Sequence, residues 1–330
     1  MPDKDGITRK RARLSANQLS ALEQRLVSGC SGTLTVPTGD RIAPPPSAGQ
    51  QSPIVEIQAG SDSPIFFAHP AGGNILCYIQ LAAELGRRRS VYGLQAPGMY
   101  GDWRPHSSLG LLAGLYIDAI RSVQAYGPYY LAGWSMGGLI AFEIASQLKA
   151  QGQRIALLAL LDTWVLAKDP DALMQYEAMF LAGFAQELGI SIGDLAVPWQ
   201  HLFRLGFEEK LNFLCGHAQA HAPIADHISS GALRHLLRVF LTNLQSMFAY
   251  RPQPYSGNAT VLRASEHLGE PGRDLTGGWA KLAAGGIETI DVRGNHFSMM
   301  RQPYVRTLGT SLKRCIRIAD ARHGEIDSFH

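Results

Sequence analysis

A serine sits between two glycines in Leu131-Ala132-Gly133-Trp134-Ser135-Met136-Gly137-Gly138-Leu139, with an apolar run before it and a helical pattern after it. The serine hydroxyl is a weak nucleophile at neutral pH; it needs a base within reach and an acid that orients the base. The base candidate is His296, in Val292-Arg293-Gly294-Asn295-His296-Phe297-Ser298-Met299, directly after the last apolar run and before the final helical stretch at 304–318. Two carboxylates compete for the third position. Asp162 ends the strongly apolar run 155–161, where a carboxylate is costly unless used; Glu266 follows the next run, 259–262. Asp162 is favoured over Glu266 because its run neighbours the serine's run in sequence. Acyl transfer through serine also needs two backbone donors for the oxyanion. Met136, just after the serine, supplies one. The other is expected from His69-Pro70-Ala71-Gly72-Gly73, and there Pro70 has no amide proton, so Ala71 is the donor expected.

These residues need a frame that holds them together. A Gly-x-Ser-x-Gly match is weak by itself in a chain with 35 glycines. Its flanks add the weight, because a strand, a tight turn and a helix start lift the hydroxyl clear of the strand and aim the first helical amides at the reacting carbon. Apolar runs at 64–69, 91–94, 129–132, 155–161, 259–262 and 288–292 predict strands, with helices at 76–85, 109–126 and 139–149 between them. Near-continuous apolar strands imply burial on both faces, hence a mostly parallel sheet covered by helices, an α/β architecture. From about 165 to 255 only helical patterns occur, at 171–188, 207–220 and 231–250. They read as a helical lid over the strand ends.

Upstream, 1–27 reads as a basic tail and a short amphipathic helix (14–27), and 28–52 as a Pro/Gly/Ser-rich linker containing Pro44-Pro45-Pro46. The main domain is expected at 53–320, with a tail at 321–330. The formal net charge of +3 is matched by Lys4, Arg9, Lys10, Arg11 and Arg13 against Asp3 and Asp5, so the remaining chain is near neutral. That argues against a nucleic-acid surface. No 18-residue apolar run or signal-peptide core is visible, so no membrane association and a cytoplasmic location are expected. The four cysteines have no C-x-x-C spacing, and Gly72-Gly73 lacks the Lys-Ser/Thr of a phosphate loop. His217 and His221, with Asp226 and His227 nearby, lack an H-E-x-x-H pattern; no metal and no bound cofactor are expected.

With these residues assembled, the chain resembles the type I thioesterase domains at the ends of nonribosomal peptide and polyketide synthases. The resemblance runs over about 53–318. It rests on Phe66-Phe67-Ala68-His69-Pro70-Ala71-Gly72-Gly73, Tyr92-Gly93-Leu94-Gln95-Ala96-Pro97-Gly98, the Ser135 block, Leu160-Leu161-Asp162 and Gly294-Asn295-His296-Phe297-Ser298-Met299-Met300. It implies an α/β-hydrolase fold with Ser135 as nucleophile, His296 as base and Asp162 as acid, the acid following the earlier strand. Asn295 departs from the aspartate or glycine usual before the histidine. The implied reaction passes a chain from the phosphopantetheine thiol of an acyl or peptidyl carrier protein to Ser135. Water, or a hydroxyl or amine of the chain itself, then releases it. Upstream synthase modules and a setting in secondary metabolism are implied with it, and the 14–27 helix and linker resemble the segment where a carrier domain ends. The alternatives are a discrete editing (type II) thioesterase, a general carboxylesterase or lipase, and a non-catalytic hydrolase-fold binding module.

Overall fold

Seven strands form one sheet in the order β1-β3-β2-β4-β5-β6-β7, in a computed structural model that describes residues 52–97, 99, 108–166, 176–181, 184, 202, 204–221, 229–266 and 274–327. Contacts divide the chain into Met1–Gln50 and Gln51–His330; all elements below belong to the second unit. The helix expected at 14–27, and all but the last residue of the expected linker at 28–52, lie outside the described residues.

The strands are β1 (Ile54–Gln58), β2 (Asp62–Ala68), β3 (Arg89–Leu94), β4 (Tyr129–Trp134), β5 (Ile155–Leu161), β6 (Ala259–Ala264) and β7 (Ile287–Val292). All neighbours pair in parallel except β1, which runs antiparallel to β3. Every residue of the central strand β4 is buried, as its unbroken apolar composition requires of a parallel strand with helices on both faces. β1 is the strand that the apolar runs did not announce. It is a half-exposed edge strand whose Glu56 faces solvent.

The helices are α1 (Tyr78–Leu85), α2 (Leu109–Val123), α3 (Met136–Ala150), α4 (Phe207–His221), α5 (Ser230–Ala249) and α6 (Val305–Asp327). α1 and α6 pack together on the sheet face bearing Ile65, Phe67, Tyr130 and Ala132. α2 packs on α3, which crosses β4 and β5. α4 and α5 lie in the insertion between β5 and β6, and residues 176–181 of the same insertion are also helical. The rest of the helix expected at 171–188 falls largely outside the described residues.

α5, in the stretch expected to form the lid, is fastened to the body by side chains along its length. Asn243 Nδ2 donates to Ala71 O at 2.9 Å. Tyr250 Oη donates to Glu143 Oε2 on α3 at 2.7 Å, and Val239 packs with Ala96 and Met99. α6 runs to Asp327, past the expected stop at 318 and through most of the expected tail. The reason is a polar clamp that an Arg-rich sequence conceals. Asp320 accepts from Arg89 at 2.8 and 2.9 Å and from the Tyr130 hydroxyl, and the Arg89 guanidinium lies 4.5 Å over the Tyr130 ring. Burial, reinforced by the adjoining Asp320, holds the Tyr130 phenol well above its usual range, so it stays a donor.

Candidate active site

Ser135 stands where β4 turns into α3, with φ 59° and ψ −125°. A non-glycine residue there costs on the order of 1–3 kcal/mol and must be held by its surroundings. The hold is visible. Its amide donates to Leu161 O at 3.0 Å, and its carbonyl accepts from Gly138 N at 3.0 Å and Thr163 Oγ1 at 2.9 Å. The flanking glycines are dictated by contact: a Cβ on Gly133 would lie 2.1 Å from the backbone of Gly137, and one on Gly137 would lie 2.2 Å from Ala68 O.

Asp162 follows β5 directly, with φ 45°, a second left-handed non-glycine residue. Its Oδ1 accepts from Ala264 N at 2.9 Å and its Oδ2 from His296 Nδ1 at 2.8 Å. Asp162, Ser135 and His296 are 1%, 5% and 7% exposed. A carboxylate only accepts, so His296 carries its proton on Nδ1 and keeps the Nε2 lone pair. That Nε2 is buried with no hydrogen-bond partner among the described residues. An imidazole fixed in this tautomer can take a proton at Nε2. Glu266, the competing acid, is exposed; its amide bonds Gly294 O at 2.9 Å, which braces the histidine loop, but its side chain faces solvent.

His296 is enclosed by rings that the sequence reading did not single out. Trp134 and Trp164 lie tilted on it at 5.1 and 4.9 Å, and Phe297 and Phe180 meet it edge-on at 5.0 and 6.0 Å. Trp134 Nε1 also donates to His296 O at 3.0 Å, joining the elbow to the histidine loop. The signal for Trp134 was its place inside the elbow motif; Trp164 and Phe180 carried none. Asn295, the departure from the expected pattern, is accounted for locally. Its Oδ1 accepts from Phe297 N and Ser298 N at 3.1 and 2.9 Å, while Ser298 Oγ accepts from Asn295 N at 2.8 Å. An asparagine side chain can close such a turn by itself.

The two expected oxyanion donors belong to neighbouring elements. Met136 is the first residue of α3, so its amide is among the four with no acceptor inside the helix. The Ala71 amide belongs to the same peptide as the Pro70 carbonyl, which accepts from Gly73 N at 2.9 Å and from His69 Nδ1 at 2.8 Å. Pinning that oxygen fixes where the opposite N–H points.

His69 is fully buried, and burial lowers its pKa from 6.5 to about 4, against a smaller opposing pull from the Pro70 carbonyl. The folded state therefore holds it neutral at a pH where the unfolded chain already binds a proton. The stability this contributes is fully present above pH 6.5 and is lost as pH falls toward 4, on the order of 3 kcal/mol in all. His69→Asn keeps a donor for Pro70 O but does not titrate. Urea unfolding of the two proteins from pH 7 to 4 should show the native chain losing stability more steeply; parallel profiles would contradict the neutral, buried assignment.

Among the described residues no three His, Cys, Asp or Glu side chains cluster as a metal site. His217 stacks on Phe213 at 6.1 Å, and the His221 side chain, Asp226 and His227 lie outside the described residues. Among the described residues, no helix is long and apolar enough to cross a membrane.

A family model described as "Thioesterase domain" matches residues 63–312. The chain belongs to the thioesterase domain family. It is similar to a dimodular nonribosomal peptide synthase of Bacillus subtilis (strain 168), with 28% identity over 265 residues. That match covers 77% of this chain and 10% of the synthase. The thioesterase thus spans a minor part of the curated relatives it matches. Among solved structures it resembles a four-domain nonribosomal peptide synthetase bound to AMP and glycine, at TM-score 0.67 and 25% identity, covering 82% of this chain and 20% of that one. It also resembles the wild-type Vlm2 thioesterase domain, at TM-score 0.56 and 28% identity, covering 80% and 98%. The fold is that of the α/β-hydrolases, and its sheet carries the site residues at the carboxyl ends of β2, β4, β5 and β7.

Proposed function

We propose that this thioesterase releases a peptidyl or polyketidyl chain from a carrier-protein thioester through an acyl-Ser135 intermediate, with Asp162 and His296 completing the triad. The observation that carries the reading is the buried Asp162–His296 bond at 2.8 Å, which fixes the imidazole proton on Nδ1 and leaves the His296 Nε2 lone pair able to take a proton. Ser135 Oγ attacks the thioester carbonyl carbon as Nε2 takes its proton, and the carbonyl oxygen becomes an oxyanion facing the amides of Met136 and Ala71. Asp162 stabilises the imidazolium. The carbon–sulfur bond then breaks, the thiol leaves with the proton from Nε2, and the chain remains as an ester on Ser135. Water, or a hydroxyl or amine of the chain, attacks that ester while Nε2 takes and returns a proton. The product is a free acid, a lactone or a lactam.

The phosphopantetheine arm belongs to the carrier and enters as substrate; the domain itself requires no bound cofactor. Similarity to a multimodular synthase supports carrier domains and upstream modules as partners. The apolar rings around His296 favour a chain that displaces water from the imidazole. The test is a comparison of the same acyl group presented on a carrier-bound phosphopantetheine and as a simple alkyl ester. Turnover of the carrier-bound form should exceed that of the ester by orders of magnitude in kcat/KM. Equal turnover would make the protein a general esterase.

A further inference from the structure

Tyr78 is fully buried at the start of α1, its ring against Phe67 at 4.8 Å. Its hydroxyl does more than find one partner. Oη donates to Ala68 O at 2.6 Å and accepts from Trp134 N at 2.9 Å. Burial raises its pKa well above 10, so it remains a neutral phenol able to do both. Ala68 is the last residue of β2 and Trp134 the last of β4, and the final register pair between these strands is Ala68↔Gly133. Beyond this point the strands part. β2 leads through His69 and Pro70 to the Ala71 amide, and β4 leads directly to Ser135 and Met136. The next amide along the chain, His69 N, bonds Leu94 O on the other neighbour, β3. One hydroxyl therefore joins the two strand ends at the place where direct pairing stops.

We propose that Tyr78 is a positioning residue of the reaction, setting the distance between the nucleophile with its Met136 donor and the Ala71 donor opposite. The inference rests on the acyl-serine reading above. A displacement of about 1 Å in such a site can cost on the order of 100-fold in rate. The residue touches no substrate, and its effect passes only through the backbone that it ties. Tyr78→Phe keeps the ring against Phe67 and removes the bond. Tyr129→Phe is the control: the first residue of β4, the strand whose other end Tyr78 holds through Trp134 N, with a hydroxyl that bonds Gln124 O and Ala125 O away from the site.

Kinetics on a peptidyl N-acetylcysteamine thioester, with active sites counted by a fluorophosphonate, should show Y78F losing about 10- to 100-fold in kcat. KM should hold within about threefold, because an oxyanion donor acts on the transition state rather than on substrate binding. Y129F should lose stability but keep its kcat. An unchanged kcat in Y78F, or an equal fall in Y129F, would overturn the proposal and leave Tyr78 a purely structural residue. If Y78F does not fold, replacing Trp134 by the corresponding α-hydroxy acid removes the N–H half of the same link, with the same two outcomes. Failure of the underlying reading looks different: the wild-type protein itself would then form no adduct on Ser135.

Discussion

Ser135→Ala should lose on the order of 10⁶ in kcat toward a thioester while folding normally. Removing the oxygen takes away the only atom proposed to bond covalently to the chain. The strained backbone at φ 59° is held by Leu161 O, Gly138 N and Thr163 Oγ1, all of which bond the main chain and are untouched by the substitution. Alanine and serine share a Cβ, so the conformational cost at this φ is common to both, and the melting temperature should stay within a few degrees. Intact-mass analysis after treatment with a serine-directed fluorophosphonate should show one adduct on the wild-type chain and none on the variant. An adduct on the variant would move the nucleophile elsewhere; a collapse in stability would mean that Oγ holds the elbow together.

The elbow and the inner sheet were legible because each imposes a local requirement on residue type. Gly133 and Gly137 are needed where any side chain would strike backbone, and β4 and β5 are apolar throughout because both faces are covered. His296 could be located from its place after the last strand. What local pattern did not show are the links between distant segments. β1 pairs only along one edge, so its alternation is short and half-exposed. α6 outlasts its apolar periodicity because Asp320 answers Arg89, 231 positions away in sequence. Tyr78 and Trp134 bear apolar rings that read as core, and their polar atoms matter only once β2, β4 and the histidine loop have come together. The aromatic enclosure of His296 draws Trp164 and Phe180 from a region where sequence shows helix and loop but not direction. Asp162 and Glu266 were the hardest pair to separate, since each follows a parallel strand and the two strands are neighbours.

That pair gives the second large effect. Asp162 uses both oxygens: Oδ1 accepts from Ala264 N and Oδ2 from His296 Nδ1, each a donor that faces it from a fixed direction. Asp162→Asn replaces one oxygen with an NH₂ group of nearly the same size. If the amide oxygen stays toward Ala264, the NH₂ faces Nδ1 and bonds it only when the imidazole proton has moved to Nε2. In that tautomer His296 cannot take the proton of Ser135. If the amide flips, the NH₂ confronts the Ala264 amide in a buried site and one donor is left unpaired. That costs on the order of 1–3 kcal/mol, so the first arrangement prevails. Turnover should fall by about 10⁴, the loss seen when the same exchange is made in a serine protease triad, and circular dichroism should be unchanged. Glu266→Gln should stay within a few-fold, because the Glu266 side chain is exposed and the bond it helps brace, from its amide to Gly294 O, is a main-chain one. Glu266→Gln emerging as the crippled variant would put the working acid after β6 and bring the protein closer to a general esterase. Survival of both would mean that the Asp162–His296 bond is structural and that Ser135 is activated by another route.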